Sequence, residues 1–204
     1  MDARAHWDQV HATKDPRQVS WFRPHLERSL ELIERAARDR QASILDVGSG
    51  QSTLVDDLLR LGYARITVLE ISQAALDGLK DRAGEAGGVV QWICGEVTET
   101  VLPEASFDVW HDRVVFHFLM ETGQRRAYVE RMMKALKPGG SLIVSTFGPT
   151  GPERCSGLSA MRYDASLLGR EFGDRFSLVE SSLELHETPS GAEQQFLSCW
   201  FRFG

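Results

Sequence analysis

Ile44-Leu45-Asp46-Val47-Gly48-Ser49-Gly50-Gln51-Ser52 is a short apolar run that ends on a carboxylate and turns through two glycines. It leads straight into an amphipathic stretch from Thr53 to Leu61. An apolar run, a glycine turn and a helical period, in that order, predict the first strand, loop and helix of a nucleotide-binding α/β unit. Glycine serves such a loop twice over: the turn can demand positive φ, and the backbone must approach the ligand with no Cβ in the way.

The next apolar run, Ile66-Thr67-Val68-Leu69, ends in Glu70, where an acidic side chain can accept both hydroxyls of a ribose. That feature is common to dinucleotide enzymes and does not discriminate. The loop itself does. A dinucleotide site wants a third glycine so that a pyrophosphate can rest on the helix N-terminus, and Thr53 stands at that position. Asp46 would also bring a negative charge close to the pyrophosphate, so a cationic ligand suits the loop better. S-adenosylmethionine joins an adenosine to an ammonium and a sulfonium. Asp46-Val47-Gly48-Ser49-Gly50 followed by Glu70 resembles the class I S-adenosylmethionine-dependent methyltransferase family, as a small bacterial-type, single-domain member.

The resemblance implies an α/β, Rossmann-like fold: a seven-stranded, mostly parallel sheet with helices on both faces and a C-terminal antiparallel hairpin. It implies S-adenosyl-L-methionine as cofactor and S-adenosyl-L-homocysteine as product. It places the cofactor among Trp21, Asp46, Gly48, Ser49, Gly50, Glu70, Ile71, Glu96 and Val97. In the family pattern a Gly-Asp pair after the third strand recognises adenine; here Gly95 is followed by Glu96, which keeps the charge and lengthens the reach.

The 204 residues suit a single domain. Three parts are expected within it: an N-terminal helical lid or cap over 1–42, a cofactor-binding core over 43–147, and a substrate-side loop with the hairpin over 148–204. The composition, 42% hydrophobic and 25% charged, is that of a soluble globular protein. A net charge of -6 with no basic cluster argues against general nucleic-acid binding, so a small-molecule acceptor or a local protein surface is expected. No apolar run approaches the ~20 residues of a membrane span, and the first residues resemble neither a signal nor a transit peptide. A cytoplasmic protein is expected. Cys94, Cys155 and Cys199 are odd in number and far apart, which suggests neither a disulfide framework nor a zinc site.

Residues 1–42 read as two helices joined at Asp15-Pro16, the second spanning His25 to Ala37 with Leu26, Leu30, Ile33 and Ala37 on one face. His6-Trp7 and Trp21-Phe22 are either anchors to the body or parts of a lid that excludes water. Ser72 caps a helix from Gln73 to Ala83. Val89 to Ile93 and Phe107 to Arg113 are the third and fourth strands. A helix from Tyr128 to Leu136 ends at Lys137-Pro138-Gly139-Gly140, and Ser141 to Phe147 is the fifth strand. Leu-Lys-Pro-Gly-Gly before a strand is a further resemblance to the family. Gly148 to Arg162 shows no period and reads as a functional loop at the mouth of the crevice, with Cys155 a possible reactive thiol. A short helix from Asp164 to Gly169 precedes an antiparallel hairpin, Phe176 to Leu185 and Phe196 to Phe203, around Thr188-Pro189-Ser190-Gly191.

Methyl transfer from a sulfonium is an in-line displacement, so alignment is the main task and the leaving group needs no acid. A base is needed or not according to the nucleophile. His111, Asp112, Arg113 and His117 lie at the carboxyl end of the fourth strand and are the candidate catalytic residues; Arg162, Tyr163 and His186 could line the mouth. The histidine spacing matches no metal site, and none is expected. Phe107-Asp108-Val109-Trp110-His111-Asp112-Arg113 is similar to the Trp-Asp-Arg stretch of thiopurine and related thiol methyltransferases, with His111 inserted. A thiol or another soft nucleophile is therefore the expected acceptor. The N-terminal His-Trp-Asp segment with Trp21-Phe22 resembles small lysine methyltransferases, which would need an acidic rim, and a non-catalytic cofactor-binding module is the remaining alternative.

Overall fold

The computed structural model describes residues 2–204. Helix α1 (Ala3–Thr13), capped by the Asp2 side chain, is followed by a 3-10 turn at Pro16–Gln18 and then by α2 (Glu27–Ala36). Strand β1 (Ser43–Val47) feeds α3 (Leu54–Arg60), β2 (Arg65–Glu70) feeds α4 (Gln73–Ala83), and β3 (Gln91–Cys94) leads to β4 (Phe107–Arg113). Helix α5 (Thr122–Ala135) runs directly into β5 (Leu136–Phe147). A two-stranded ribbon, β6 (Arg154–Cys155) with β7 (Leu158–Ser159), lies in the connection to α6 (Ala165–Phe172), and β8 (Phe176–Glu187) and β9 (Glu193–Phe203) close the chain.

Seven strands form one sheet in the order β3-β2-β1-β4-β5-β9-β8. The first five pair in parallel, and β9 joins antiparallel to both β5 and β8. Strand order reverses between β1 and β4, which is where the crevice of a doubly wound sheet opens beyond the carboxyl ends. The seven-stranded expectation and the closing hairpin agree with this architecture.

The period of two along the strands divides the core into two layers. Ile44, Val109 and Ile143 pack with Leu32 and Ile33 of α2, Leu58 of α3 and Leu76 of α4. Leu45, Val47, Trp110, Leu142 and Val144 face the other way, onto Tyr128 and Met132 of α5 and Phe172 of α6. The boundaries differ from expectation in several places. Helix α5 begins six residues before Tyr128, because Glu121 and Gln124 form a capping box. The stretch from Gly84 to Val89 is a 3-10 turn, which delays β3 to Gln91. The segment after β5 contains the β6–β7 ribbon, where no period was legible.

Candidate active site

A cavity of about 450 Å³ opens at the carboxyl ends of β1, β2, β3 and β4. That volume lies within the ~300–1,000 Å³ usual for small-molecule sites. Its floor is made by Asp46 to Ser52, Glu70, Ile71 and Gly95 to Val97, and its roof by α1 and the segment through Trp21 and Phe22. All nine expected cofactor residues line it.

Gly48 and Gly50 both adopt positive φ, at 64° and 54°. At Gly48 a Cβ would come within 2.0 Å of Val115 Cγ2, so the loop depends on close approach of the β4 exit as well as on the dihedral. Val115 is held there by Asp112, whose Oδ1 accepts from the Val115 amide at 2.8 Å and whose Oδ2 accepts from the Phe116 amide at 3.1 Å. Val114, a β-branched residue at φ 69°, makes that exit strained.

Asp46 is fully buried and both of its oxygens are engaged. Ser49 Oγ donates to Oδ2 at 2.5 Å, and His111 Nδ1 meets Oδ1 at 2.7 Å, while His111 Nε2 meets Ser29 Oγ at 2.9 Å. The result is a buried line of polar groups from α2 to the glycine loop. Glu70 accepts from the Gly50 amide at 2.8 Å through Oε2 and from the Ser72 amide at 2.9 Å through Oε1. A carboxylate has about four acceptor positions, so one on each oxygen is left for a hydroxyl pair. Desolvation raises the Glu70 carboxyl to about 7, with the amide donors opposing. Glu96 is half-buried and accepts only long bonds from Thr98.

The four residues at the end of β4 are not brought together. Successive strand residues face opposite sides of the sheet, so His111 and Arg113 point to the α2 side and line the cavity, while Asp112 points to the α5 side and does not. There Asp112 Oδ2 accepts from Tyr128 Oη at 2.7 Å, and Tyr128 Oη accepts from Trp110 Nε1 at 2.8 Å. Asp112 therefore shapes the loop beneath the site and stays clear of the cavity. His117 is also outside the lining. Its ring lies against Phe118 and Phe147, its Nδ1 accepts from the Phe147 amide at 3.3 Å, and burial drives its pKa down to about 3. His117 is a neutral packing group, which corrects the expectation of an acceptor-side role. His111, with both nitrogens bound to protein, positions Asp46.

Arg162, Tyr163 and His186 do not line the cavity. Arg162 pairs with Glu153 at 2.9 Å, Tyr163 is in the core, and His186 Nε2 donates to the Ser20 carbonyl at 2.8 Å. Cys155 does line it, and burial pushes its thiol up to about 11, away from the thiolate. Sequence reading missed the contributions of Ser29, Val115, Tyr128 and His11. For the facing of Asp112 the period of two along β4 was the available signal. Among the described residues, no group of three or more His, Cys, Asp or Glu side chains is placed to hold a metal ion, and no helix is long and apolar enough to cross a membrane.

The fold and cavity define a Rossmann-like α/β domain with a nucleotide-type crevice and an adjoining chamber. Residues 44–140 match the methyltransferase domain family, and the fold is similar to that of S-adenosylmethionine-dependent methyltransferases. It is 30% identical over 128 residues to a mitochondrial ubiquinone biosynthesis O-methyltransferase of Schizosaccharomyces pombe, an alignment that takes in 59% of this chain and 45% of that one. Half or less of each such curated relative is spanned, and only 20% of a bifunctional biotin biosynthesis protein from Cellvibrio japonicus, which is 28% identical over 106 residues. The fold is similar to that of N-methyltransferase NodS from Bradyrhizobium japonicum in complex with S-adenosyl-L-homocysteine: TM-score 0.75, 17% identity, 100% of this chain and 99% of that one.

Proposed function

We propose that this chain transfers a methyl group from S-adenosylmethionine to a small molecule, with a thiol as the favoured nucleophile. The observation that carries the reading is one continuous cavity that joins the glycine loop and Glu70 to an aromatic chamber under α1. A protein that only sensed the cofactor would be expected to fill that chamber with its own side chains.

The residues fit the cofactor by charge. Asp46, Glu70 and Glu96 are the lining carboxylates, and they stand at the ends of β1, β2 and β3, where the amino-acid, ribose and adenine parts would lie. Glu70 would take the ribose hydroxyls on its two remaining acceptor positions, and the Gly48–Gly50 backbone would admit the amino-acid moiety. The bound cofactor supplies an electrophilic methyl on a sulfonium. Trp7, Trp21 and Phe118, with ring centroids 5.2–5.9 Å apart, exclude water from the chamber.

Two of the three lining imidazoles are unsuited to act as a base, which favours a nucleophile that needs little help in losing its proton. His111 is committed to Asp46 and Ser29, and burial lowers His11 to about 4, too weak a base for an amine or alcohol. That leaves His6, whose Nε2 has no partner, as the lining base. A thiol, with an ordinary pKa of about 8.5, is already partly ionised at neutral pH. The lysine-methyltransferase alternative needs carboxylates around the acceptor, and the chamber side of the lining has none. The test is incubation with methyl-labelled S-adenosylmethionine and parallel panels of thiols, phenols and amines. Label is expected in one or more thiols; transfer to amines or peptides alone would overturn the thiol reading, and transfer to nothing would favour a binding module.

A further inference from the structure

The charged groups lining the cavity are sorted by side. The three carboxylates stand at the ends of β1, β2 and β3, whereas Lys14 and Arg23 come from the N-terminal segment that forms the roof and Arg113 from the end of β4. Arg23 and Arg113 lie together, bordering a second cavity as well as this one, and Lys14 and Cys155 line this one beside them. In a chain of net charge -6, three lining cations with no lining carboxylate beside them are not a consequence of composition.

Arg113 is the incomplete member. Its Nη1 donates to the Trp21 carbonyl at 3.1 Å, its guanidinium lies over the Phe196 ring at 5.1 Å, and Nη2 is shielded from solvent with no hydrogen-bond partner. No ion pair involves Arg113 or Lys14 among the described residues; Arg23 Nη2 meets Glu184 at 3.5 Å, and Glu184 lines a second cavity that both arginines also border. Arg113 is half-buried, and a shielded guanidinium donor short of a hydrogen bond is costly; such groups persist where a ligand completes them. Desolvation lowers Arg113 to about 10, which still leaves it charged at neutral pH.

We propose that the methyl acceptor carries a carboxylate, anchored by Arg113 with Lys14 and Arg23 adding to the attractive field, and an aromatic or apolar body held by Trp7, Trp21 and Phe118. The planar guanidinium matches a carboxylate by geometry as well as charge. This inference rests on the methyltransferase reading and sharpens its substrate class. The anchor takes part in no bond change; the methyl passes to the acceptor's nucleophile, whose proton leaves to solvent.

The test uses the full chain saturated with S-adenosylhomocysteine and probes matched in shape: benzoate against benzamide, and indole-3-acetate against indole-3-acetamide, followed by tryptophan fluorescence. Each carboxylate is expected to bind about tenfold or more tighter than its amide. Arg113→Gln is expected to abolish that preference, and Lys14→Gln, at an exposed position that leaves the fold intact, to reduce it several-fold. Equal affinity for acid and amide, or binding of neither, overturns the proposal, as does a preference unaffected by both substitutions. Binding of S-adenosylhomocysteine by the wild-type protein is read separately, so its failure marks failure of the methyltransferase reading and not of the anchor alone.

Discussion

Asp46, His111 and Ser49 act as one unit, because each fixes the next by a short buried hydrogen bond. Replacing His111 with Gln should raise the KM for S-adenosylmethionine and leave the pH profile of kcat in place; a collapse of kcat with a changed profile would identify His111 as a base. Gly48→Ala should destabilise the fold by about 2–4 kcal/mol in urea unfolding, from the left-handed dihedral and the overlap with Val115 together. Adding Val115→Ala should recover part of that loss, since it removes the overlap and leaves the dihedral. This alters the meaning of the glycine: the sequence marks it as room for a ligand, and the nearest obstacle is the protein's own loop.

Glu70 links binding to pH. Its folded-state pKa is raised from the ordinary 4.5 to about 7, so its contribution to stability without ligand is full below about 4.5 and is lost as pH rises through about 7. Hydroxyl donors favour the ionised carboxylate, so cofactor binding has the opposite dependence. The rise in unfolding temperature caused by S-adenosylhomocysteine should be greater at pH 8 than at pH 6, and Glu70→Gln should flatten the difference. An equal shift at both values would remove Glu70 from the ribose site.

At the scale of elements, the roof is tied down at few points. Asp8 of α1 accepts from Ser72 Oγ at 2.8 Å and from the Ala74 amide at 3.3 Å, at the start of α4, and Trp7 packs on Trp21 and Phe118. Asp8→Ala should loosen α1 by about 0.5–1.5 kcal/mol, the usual net contribution of a hydrogen bond. Stopped-flow release of S-adenosylhomocysteine should then be faster by roughly twofold to tenfold, with the core unfolding unchanged. Unaltered release would make α1 an anchor and not a lid. Helix α4 was legible to the residue because Ser72 caps it in sequence and in structure, its Oγ accepting from the Ala75 amide. The pleat divides the four candidates at the end of β4 for a reason equally local: it sends His111 and Arg113 to the α2 side, where they line the cavity, and Asp112 to α5.

At the scale of the molecule, the seven-stranded, mostly parallel architecture was legible because a glycine loop after β1 and an acidic end to β2 leave few arrangements for the strands that follow. Tertiary partners were not legible. Ser29 meets His111 across 82 positions of chain, and Glu180 on β8 pairs with Arg28 and Arg35 of α2. No local pattern announces such contacts. The two core layers share one sheet, so we expect a single cooperative transition in urea, with tryptophan fluorescence and circular dichroism coincident; separate transitions would divide the chain into more than one folding unit.

On the proposed function, the cavity at the ends of β1, β2 and β3 takes a cationic adenosine cofactor. Calorimetric titration with S-adenosylhomocysteine, with NAD run beside it, tests this most directly. Saturable binding of S-adenosylhomocysteine at one site per chain and none of NAD is the predicted result. Binding of NAD alone, or of neither, would contradict the assignment drawn from Asp46, Thr53 and Glu70.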